Sequence, residues 1–418
     1  MQGAASRDRH LIGVNLWPDF SGTLCFAGGV APQTAISEAE LQRWKLIAPF
    51  RHALDEALTQ SPAHRSFADP RRLLPLAEYL ALVLFGLLNP VVRTMRGLCA
   101  ASHLERVQRQ VCARPVSLGS FSETQHLRDP PLLEQVCAPM SAQVHGAGGD
   151  PRLAGQPWLI VDSTLWAALP RMHWAVSGGG KAGAINHAVR LHVSFHLWDQ
   201  KPTRATLTAG QRCERAVWRA QWQAGQWYVG DRYYGEDYRV LAELNALGCT
   251  YVLRVRDSAR INVAEELPVS EADRAAGVVR QAWATLGAGP TRSTRVRVVW
   301  VQTAEQTLRL VTHQAVAELS AELVALVYRY RWQVELFFRW IKCILGCRHW
   351  LAESATGVTV QVSLALIAAL LLQLYTGGRP SKRMMELIQW YVLGVASVAE
   401  LTAGVQRELT RTAKNKGA

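Results

Sequence analysis

The sequence predicts a mixed α/β domain flanked by helical regions, and three observations support this. Hydrophobic residues recur at helical spacing from about residue 38 to 140. After a segment at 141–156 that is rich in glycine and small residues, short apolar runs typical of strands replace that spacing. Helical spacing returns at Ser320. Because 49% of the 418 residues are hydrophobic and 19% are charged, we expect a packed core rather than a disordered chain.

The first region, 1–150, is predicted to be mainly helical. Residues 1–37 lack periodic signals and are expected to form a loosely structured arm. Leu80, Leu84 and Leu87 share one helix face, and Asn89 with the following proline ends that helix. The segment 91–111 carries four arginines among apolar residues, which is compatible with a solvated helix face or with DNA contact.

The central region is predicted to contain strands in the order strand, strand, strand, strand, helix, strand. The strands are expected at 158–161, 188–197, 204–208, 227–230 and 249–255, with the helix at 236–247. Residues 257–312 are predicted to hold a helix and a hairpin with strands at 294–301 and 307–312. From 320 onward we expect helices, ending in a basic tail.

Two apolar stretches could be taken for membrane segments. Residues 76–88 are too few to span a bilayer and include Glu78. Residues 358–375 reach spanning length, but Gln361, Ser363 and Gln373 interrupt them. A buried core helix is the better interpretation, so no membrane partner is predicted.

Charge and cysteine content narrow the class of protein further. The net charge of +13 favours a polyanionic partner, either nucleic acid or an anionic membrane surface. The eight cysteines are dispersed along the chain, which does not indicate a disulfide framework. The N-terminal residues lack the apolar core of a secretory signal. We therefore expect a cytoplasmic protein with reduced cysteines.

Two aspartates stand where catalytic carboxylates are often found. Asp162 and Asp231 each follow a short apolar run, and ligand sites collect at the carboxyl ends of strands in α/β sheets. If the two strands are neighbours, both carboxylates lie at one edge, where hard oxygen ligands suit Mg²⁺. The alternative is that each aspartate forms a turn or caps a helix.

A segment near residue 335 combines one acid with several basic groups. Tyr328, Arg331, Glu335 and Lys342 fall on one stripe of an α-helix, with Arg339 at its margin. Glu335 could add a third carboxylate to a metal pair while its neighbours hold phosphate oxygens. The alternative is an amphipathic helix with i,i+4 ion pairs from Glu335 to its arginine neighbours.

This spacing resembles a known family signature. Tyr-x2-Arg-x3-Glu-x6-Lys, starting at Tyr328, resembles the signature of the DDE transposases encoded by bacterial insertion sequences, of the insertion-sequence-four type. The residues that surround the signature are similar as well, as are the runs VDST from Val161 and AVRLH from Ala188. The resemblance covers about 155–375.

The resemblance implies an RNase H-like fold in which Asp162, Asp231 and Glu335 bind two Mg²⁺ ions, for which Mn²⁺ can substitute. It divides the chain into a helical N-terminal region at 1–150 that binds DNA ends and a catalytic domain at 155–256 and 316–376. A mainly β insertion at 257–315 and a helical C-terminal region at 377–418 complete the division. Contacts to the transposon-end strand are implied for Tyr328, Arg331, Lys342, Arg339 and Trp300.

The implied activity is cleavage at transposon ends and transfer of the freed 3′-OH into target DNA. The implied partners are double-stranded DNA and a second copy of the chain in a synaptic homodimer, in the bacterial cytoplasm at the nucleoid. Tyr233 departs from the family, which has a small residue there, and it could crowd the metal site. Two alternatives therefore stay open: a catalytically impaired, transposase-derived DNA-binding protein and a non-mobile RNase H-like nuclease.

Overall fold

The computed structural model describes eight ranges of the chain, which cover most of it outside the N-terminal arm. These ranges are 48–60, 73–125, 130–145, 150–153, 155–179, 185–289, 292–343 and 349–416. The predicted loosely structured arm at 1–37 lies outside the described residues.

Six helices precede the sheet, as the helical spacing predicts. They are α1 (Ala48–Gln60), α2 (Leu76–Leu88), α3 (Met95–Ala101), α4 (Glu105–Gln110), α5 (Leu118–Thr124) and α6 (Pro130–Gln143). The helix α2 ends before Asn89, whose side-chain Oδ1 accepts hydrogen bonds from the N–H groups of Val91 and Val92. The asparagine thus stabilises the turn that stops the helix.

A mixed sheet follows. Its first elements are β1 (Trp158–Ala167), β2 (Val176–Gly179), β3 (Ile185–His196), β4 (Lys201–Ala209), α7 (Glu214–Arg219), β5 (Trp227–Gly230), α8 (Arg239–Ala246) and β6 (Thr250–Arg254). Across the sheet the order is β4-β3-β1-β5-β6. The first three strands run antiparallel, and β5 and β6 run parallel to β1. This order is that of an RNase H-like sheet and confirms the predicted mixed α/β fold.

Residues between β6 and the next long helix extend the same sheet. They form β7 (Ile261–Leu267), α9 (Glu271–Ala275), β8 (Val278–Leu286), β9 (Val296–Gln302) and β10 (Thr307–Thr312). The predicted hairpin corresponds to β9 and β10, whereas β7 and β8 were missed. The last strand, β10, pairs antiparallel with β6, so the insertion begins and ends beside that one strand.

Five helices complete the chain. They are α10 (Ala321–Tyr330), α11 (Trp332–Cys343), α12 (Ala355–Thr376), α13 (Lys382–Leu393) and α14 (Val398–Lys416). The helix α12 packs against α1, α2 and α6 as well as against β4 and α11. One continuous hydrophobic core therefore joins the N-terminal helices to the sheet and runs from Phe50 to Val405.

The apolar helix α12 is buried inside the protein. Among the described helices it alone has the length and composition to cross a membrane, and 83% of its most apolar stretch is buried. The Nε2 of Gln361 donates to the His349 carbonyl at 2.6 Å, and its Oε1 accepts from the Leu351 N–H at 2.9 Å. Gln373 donates to the Gln200 carbonyl at 2.9 Å. The polar residues that interrupt the apolar run thus hold neighbouring segments in place.

Candidate active site

The register of the parallel pair β1 and β5 places two aspartates side by side. Val161 pairs with Gly230, so the next residue on each chain is Asp162 and Asp231 respectively. The prediction that Asp162 ends its strand is wrong, because β1 continues to Ala167 against β3. What ends at Val161 is the pairing with β5, and this opens one side of β1 just where its carboxylate begins.

Two glycines let the chain turn tightly around Asp231. A Cβ on Gly230 would lie 2.9 Å from the Leu253 side chain, and a Cβ on Gly235 would lie 2.2 Å from the Arg254 carbonyl oxygen. Between them, the Tyr233 N–H donates to Asp231 Oδ1 at 2.9 Å. The close approach of the turn to β6 fixes the direction of the Asp231 carboxylate.

The third acid comes from the helix pair α10 and α11. The continuous signature helix predicted from the sequence is interrupted at Arg331. The Arg331 N–H bonds to the Tyr328 carbonyl, and the Arg331 carbonyl accepts from Val334, so both bonds span three residues rather than four. Beyond this junction Phe337 packs on Phe195 of β3, with ring centres 5.0 Å apart. That contact seats α11 on the sheet and turns Glu335 toward Asp162.

Arg331 bridges two of the acids. Its Nη1 lies 3.2 Å from Asp162 Oδ2, and its Nη2 lies 2.6 Å from Glu335 Oε1. The exposed fractions of the Arg331, Asp162 and Glu335 side chains are 14%, 15% and 34%. The i,i+4 ion pair between Arg331 and Glu335, expected if the segment were only a salt-bridged helix, therefore forms, and the same guanidinium also reaches the sheet.

The electrostatics of Asp162 reflect its burial among other carboxylates. Burial raises the pKa of Asp162 to about 7, and Asp231 and Glu335 raise it further, while Arg331 and the Ser163 N–H oppose this. The site thus carries negative charge that nearby cations only partly offset.

The three acids line one open cavity of about 440 Å³. Its lining comprises Asp162, Ser163, Thr164, Asp231, Arg331, Glu335, Phe338, Arg339 and Lys342. Of the predicted site residues, all three carboxylates and all three basic groups are thus brought together. Lys342 Nζ donates to the Leu165 carbonyl at 2.7 Å, which fastens the end of α11 to β1. Arg339 lies on the exposed face of α11.

Two other predicted DNA contacts lie outside this lining. Tyr328 is buried, with its ring centre 5.7 Å from the Arg331 guanidinium carbon, so it supports that side chain from below. Trp300 lies on β9 and is 9% exposed, and the Arg280 guanidinium covers its ring at 4.6 Å. Neither residue is among those that line the three-acid cavity. Their roles in DNA contact stay predictions.

A second cavity, of about 850 Å³, adjoins the first and shares Asp162 and Asp231 with it. Here the sequence reasoning missed Arg190, which donates to Ser163 Oγ at 2.9 Å and forms an ion pair with Glu214. The signal was present, because an arginine stands between buried apolar residues in the middle of a predicted strand. Arg190 braces the residue that follows Asp162.

Tyr233 lies along this second cavity and is not among the residues that line the three-acid cavity. The Arg215 guanidinium carbon lies 4.6 Å from the centre of its ring, and its hydroxyl is 3.7 Å from Cys213 Sγ. The side chain therefore packs against α7 and the residue before it, and the expected crowding of the three acids does not occur.

The donor set fits a divalent cation in kind. Carboxylate oxygens are the ligands that Mg²⁺ prefers, and three of them face one partly desolvated cavity. Across the described part of the chain, no three His, Cys, Asp or Glu side chains stand close enough together to hold one ion. Arg331 accounts for this, because it lies between Asp162 and Glu335.

Comparison with known proteins connects this geometry to a family. A family model described as the transposase DDE domain matches residues 154–371, which contain all three acids and the signature residues. The chain belongs to the transposase DDE domain family. Proteins with this domain generally use divalent metal ions, in agreement with the carboxylate donors found here.

Two individual proteins show the extent of the likeness. A curated protein of Geobacillus stearothermophilus, described as a probable transposase for insertion sequence element IS5377, is 31% identical over 223 residues. The alignment covers 52% of this chain and 56% of that protein, so the chain matches about half of its relative's length. The solved piggyBac transposase synaptic complex with hairpin DNA is 8% identical and covers 90% of this chain and 84% of that one. Its TM-score of 0.43 is too low to support a conclusion.

Proposed function

We propose that this chain is the transposase of a bacterial insertion sequence. In this proposal it cleaves DNA at the transposon ends and transfers the freed 3′-OH into target DNA. One observation carries it: in a chain of the transposase DDE domain family, Asp162, Asp231 and Glu335 come from two strands and a helix to line one cavity.

The residues of the cavity divide the work between metal and DNA. Asp162, Asp231 and Glu335 are the proposed ligands of two Mg²⁺ ions, with Mn²⁺ as a substitute. Bound ions supply charge stabilisation at the attacking and leaving oxygens of an in-line phosphoryl transfer. Lys342 and Arg339 stand at the mouth of the same cavity, where a phosphodiester strand that crosses the carboxylates meets their positive charge.

The wider molecule is suited to a polyanionic partner. The net charge of +13 supports sequence-independent attraction to double-stranded DNA, which weakens as salt rises. We assign recognition of transposon ends to the helical region at 1–150 and synapsis to a homodimer. The protein then acts in the bacterial cytoplasm, at the nucleoid.

The two alternatives make different use of the same fold. A catalytically impaired DNA-binding protein is not favoured, because Tyr233, the departure that motivates it, packs against Arg215 outside the three-acid cavity. A non-mobile nuclease would keep the carboxylates but would not join a 3′-OH to target DNA.

The deciding experiment uses the full chain and a DNA duplex that carries the inverted repeats flanking its coding region. With Mg²⁺ we expect nicking at the repeat ends and joining to a target plasmid. Glu335→Gln is expected to abolish both while DNA binding in a gel-shift assay is retained. Glu305→Gln removes the same charge from an exposed turn and serves as the matched control.

Each failure has its own meaning. Binding without nicking in Mg²⁺ or Mn²⁺ indicates the impaired binding protein, and nicking without joining indicates the non-mobile nuclease. Nicking that persists in Glu335→Gln removes the glutamate from the ligand set.

A further inference from the structure

The Arg331 guanidinium occupies the space between two carboxylates of the three-acid cavity. We propose that Arg331 is a built-in counter-cation of the metal-free site, which a divalent ion displaces and which then becomes available to a DNA phosphate. This inference rests on the proposed function, because it takes Asp162 and Glu335 as metal ligands.

The need for a counter-cation follows from burial. Asp162 and Arg331 are both about one-seventh exposed, and Asp231 and Glu335 line the same cavity. Carboxylates that lose part of their hydration near like charges are costly unless a cation lies beside them. Of the other basic groups in this lining, Lys342 is bonded to the Leu165 carbonyl and Arg339 is on the exposed face of its helix. Arg331 is the one that reaches both acids.

The geometry makes the guanidinium and the metal mutually exclusive. Two different nitrogens of Arg331 contact Asp162 and Glu335, so the planar group holds the two carboxylates apart on either side of it. A magnesium ion needs carboxylate oxygens within about 2.1 Å. The acids can close on an ion only after the guanidinium has left. This explains why three carboxylates share one cavity without forming a compact ligand cluster.

The position of Arg331 on the chain suits such an exchange. It lies at the junction of α10 and α11, where two three-residue hydrogen bonds replace the regular helical pattern. Tyr328 supports its guanidinium from the buried side. Once displaced, the same planar group can bind two phosphate oxygens at the open side of the cavity. Metal and DNA then favour each other's binding through one side chain.

The test measures metal affinity without DNA, so it does not depend on catalysis. Mn²⁺ is titrated into the full chain, and free Mn²⁺ is followed by electron paramagnetic resonance. Arg331→Ala is expected to bind Mn²⁺ at least about tenfold more tightly than the wild type, because no guanidinium has to be displaced. Arg331→Lys keeps the charge but cannot bridge both acids, so its affinity should lie between the two.

Arg329→Ala is the matched control, since it removes the same charge from an exposed position two residues away. We expect its Mn²⁺ affinity to stay within about twofold of the wild type. Equal affinities in Arg331→Ala and Arg329→Ala overturn the proposal, as does weaker binding in Arg331→Ala. Should Arg331→Ala fold less well, the rise in melting temperature on adding Mn²⁺ replaces the titration and must exceed that of the wild type.

The outcomes separate this inference from the proposed function. If Glu335→Gln binds Mn²⁺ as tightly as the wild type, the carboxylates are not the metal site and both ideas fail. If Glu335→Gln loses Mn²⁺ binding while Arg331→Ala matches the control, only the exchange of guanidinium for metal is wrong.

Discussion

Replacing Gly235 by alanine tests how closely the turn after Asp231 must approach β6. The added Cβ would stand 2.2 Å from the Arg254 carbonyl oxygen, a backbone atom that cannot rotate away. Ordinary contact requires a separation about 1 Å larger, so either the turn or β6 has to move by that amount. Overpacking of this kind costs about 1–3 kcal/mol of unfolding free energy.

The same displacement should reach the chemistry. Gly235 donates its N–H to the Asp231 carbonyl at 3.3 Å, so a shift of the turn moves the aspartate itself. Misplacing a reacting group by about 1 Å can lower a rate about 100-fold. We therefore expect Gly235→Ala to lose stability in urea-induced unfolding and to nick transposon-end DNA far more slowly than the wild type.

A second glycine provides the control. Gly119 lies inside the helix α5, and a Cβ there would meet only the Ser117 hydroxyl, at 3.8 Å. Gly119→Ala should leave stability unchanged or raise it by about 0.5–1 kcal/mol, since alanine is the better helix former. If Gly235→Ala unfolds at the same urea concentration as the wild type, the steric argument is refuted.

Three further substitutions test other parts of the structure. Lys342→Ala should weaken DNA binding and reduce the slope of log affinity against log salt by about one unit, measured by fluorescence anisotropy; an unchanged slope removes the phosphate contact. Burial, aided by Arg190 and Arg212, lowers the pKa of His192 to about 3, whereas in the unfolded chain it is near 6.5. Below pH 6.5 the unfolded chain thus binds a proton that the native state refuses, so stability falls as the pH drops toward 3. In urea-induced unfolding at pH 5 and 7.5, His192→Gln should show a smaller loss at pH 5 than the wild type; an equal loss contradicts the pKa shift. Gln361→Leu should cost about 2 kcal/mol, because two backbone groups lose their partner in a buried helix contact, and unfolding at the wild-type urea midpoint would disprove this.

The neighbouring positions of Asp162 and Asp231 could be predicted because each follows a run of residues buried on both faces. The length of β1 could not be predicted. Its apolar run stops where the partner strand β5 stops, while β1 itself continues beside β3 with mixed exposure. A change in burial was thus taken for the end of a strand, although the position of the carboxylate was unaffected.

The remaining errors have similar physical causes. β7 was missed because it is mostly exposed at the edge of the sheet and carries no alternating apolar pattern. The break at Arg331 was missed because hydrophobic spacing records faces rather than hydrogen-bond lengths, and both sides of the junction keep a right-handed course. Arg190 escaped notice because its partners, Ser163 and Glu214, are distant in sequence.

The return of β10 to the strand from which the insertion departs has an evolutionary consequence. Val311 pairs with Leu253 and Leu310 with Arg254, so the chain re-enters the sheet beside the point where it left. The two ends of the excursion are thus anchored to each other, and its outer strands can lengthen, shorten or be exchanged while the helix that bears Glu335 keeps its place. Lineages can diversify what this excursion touches and still inherit an unaltered catalytic geometry.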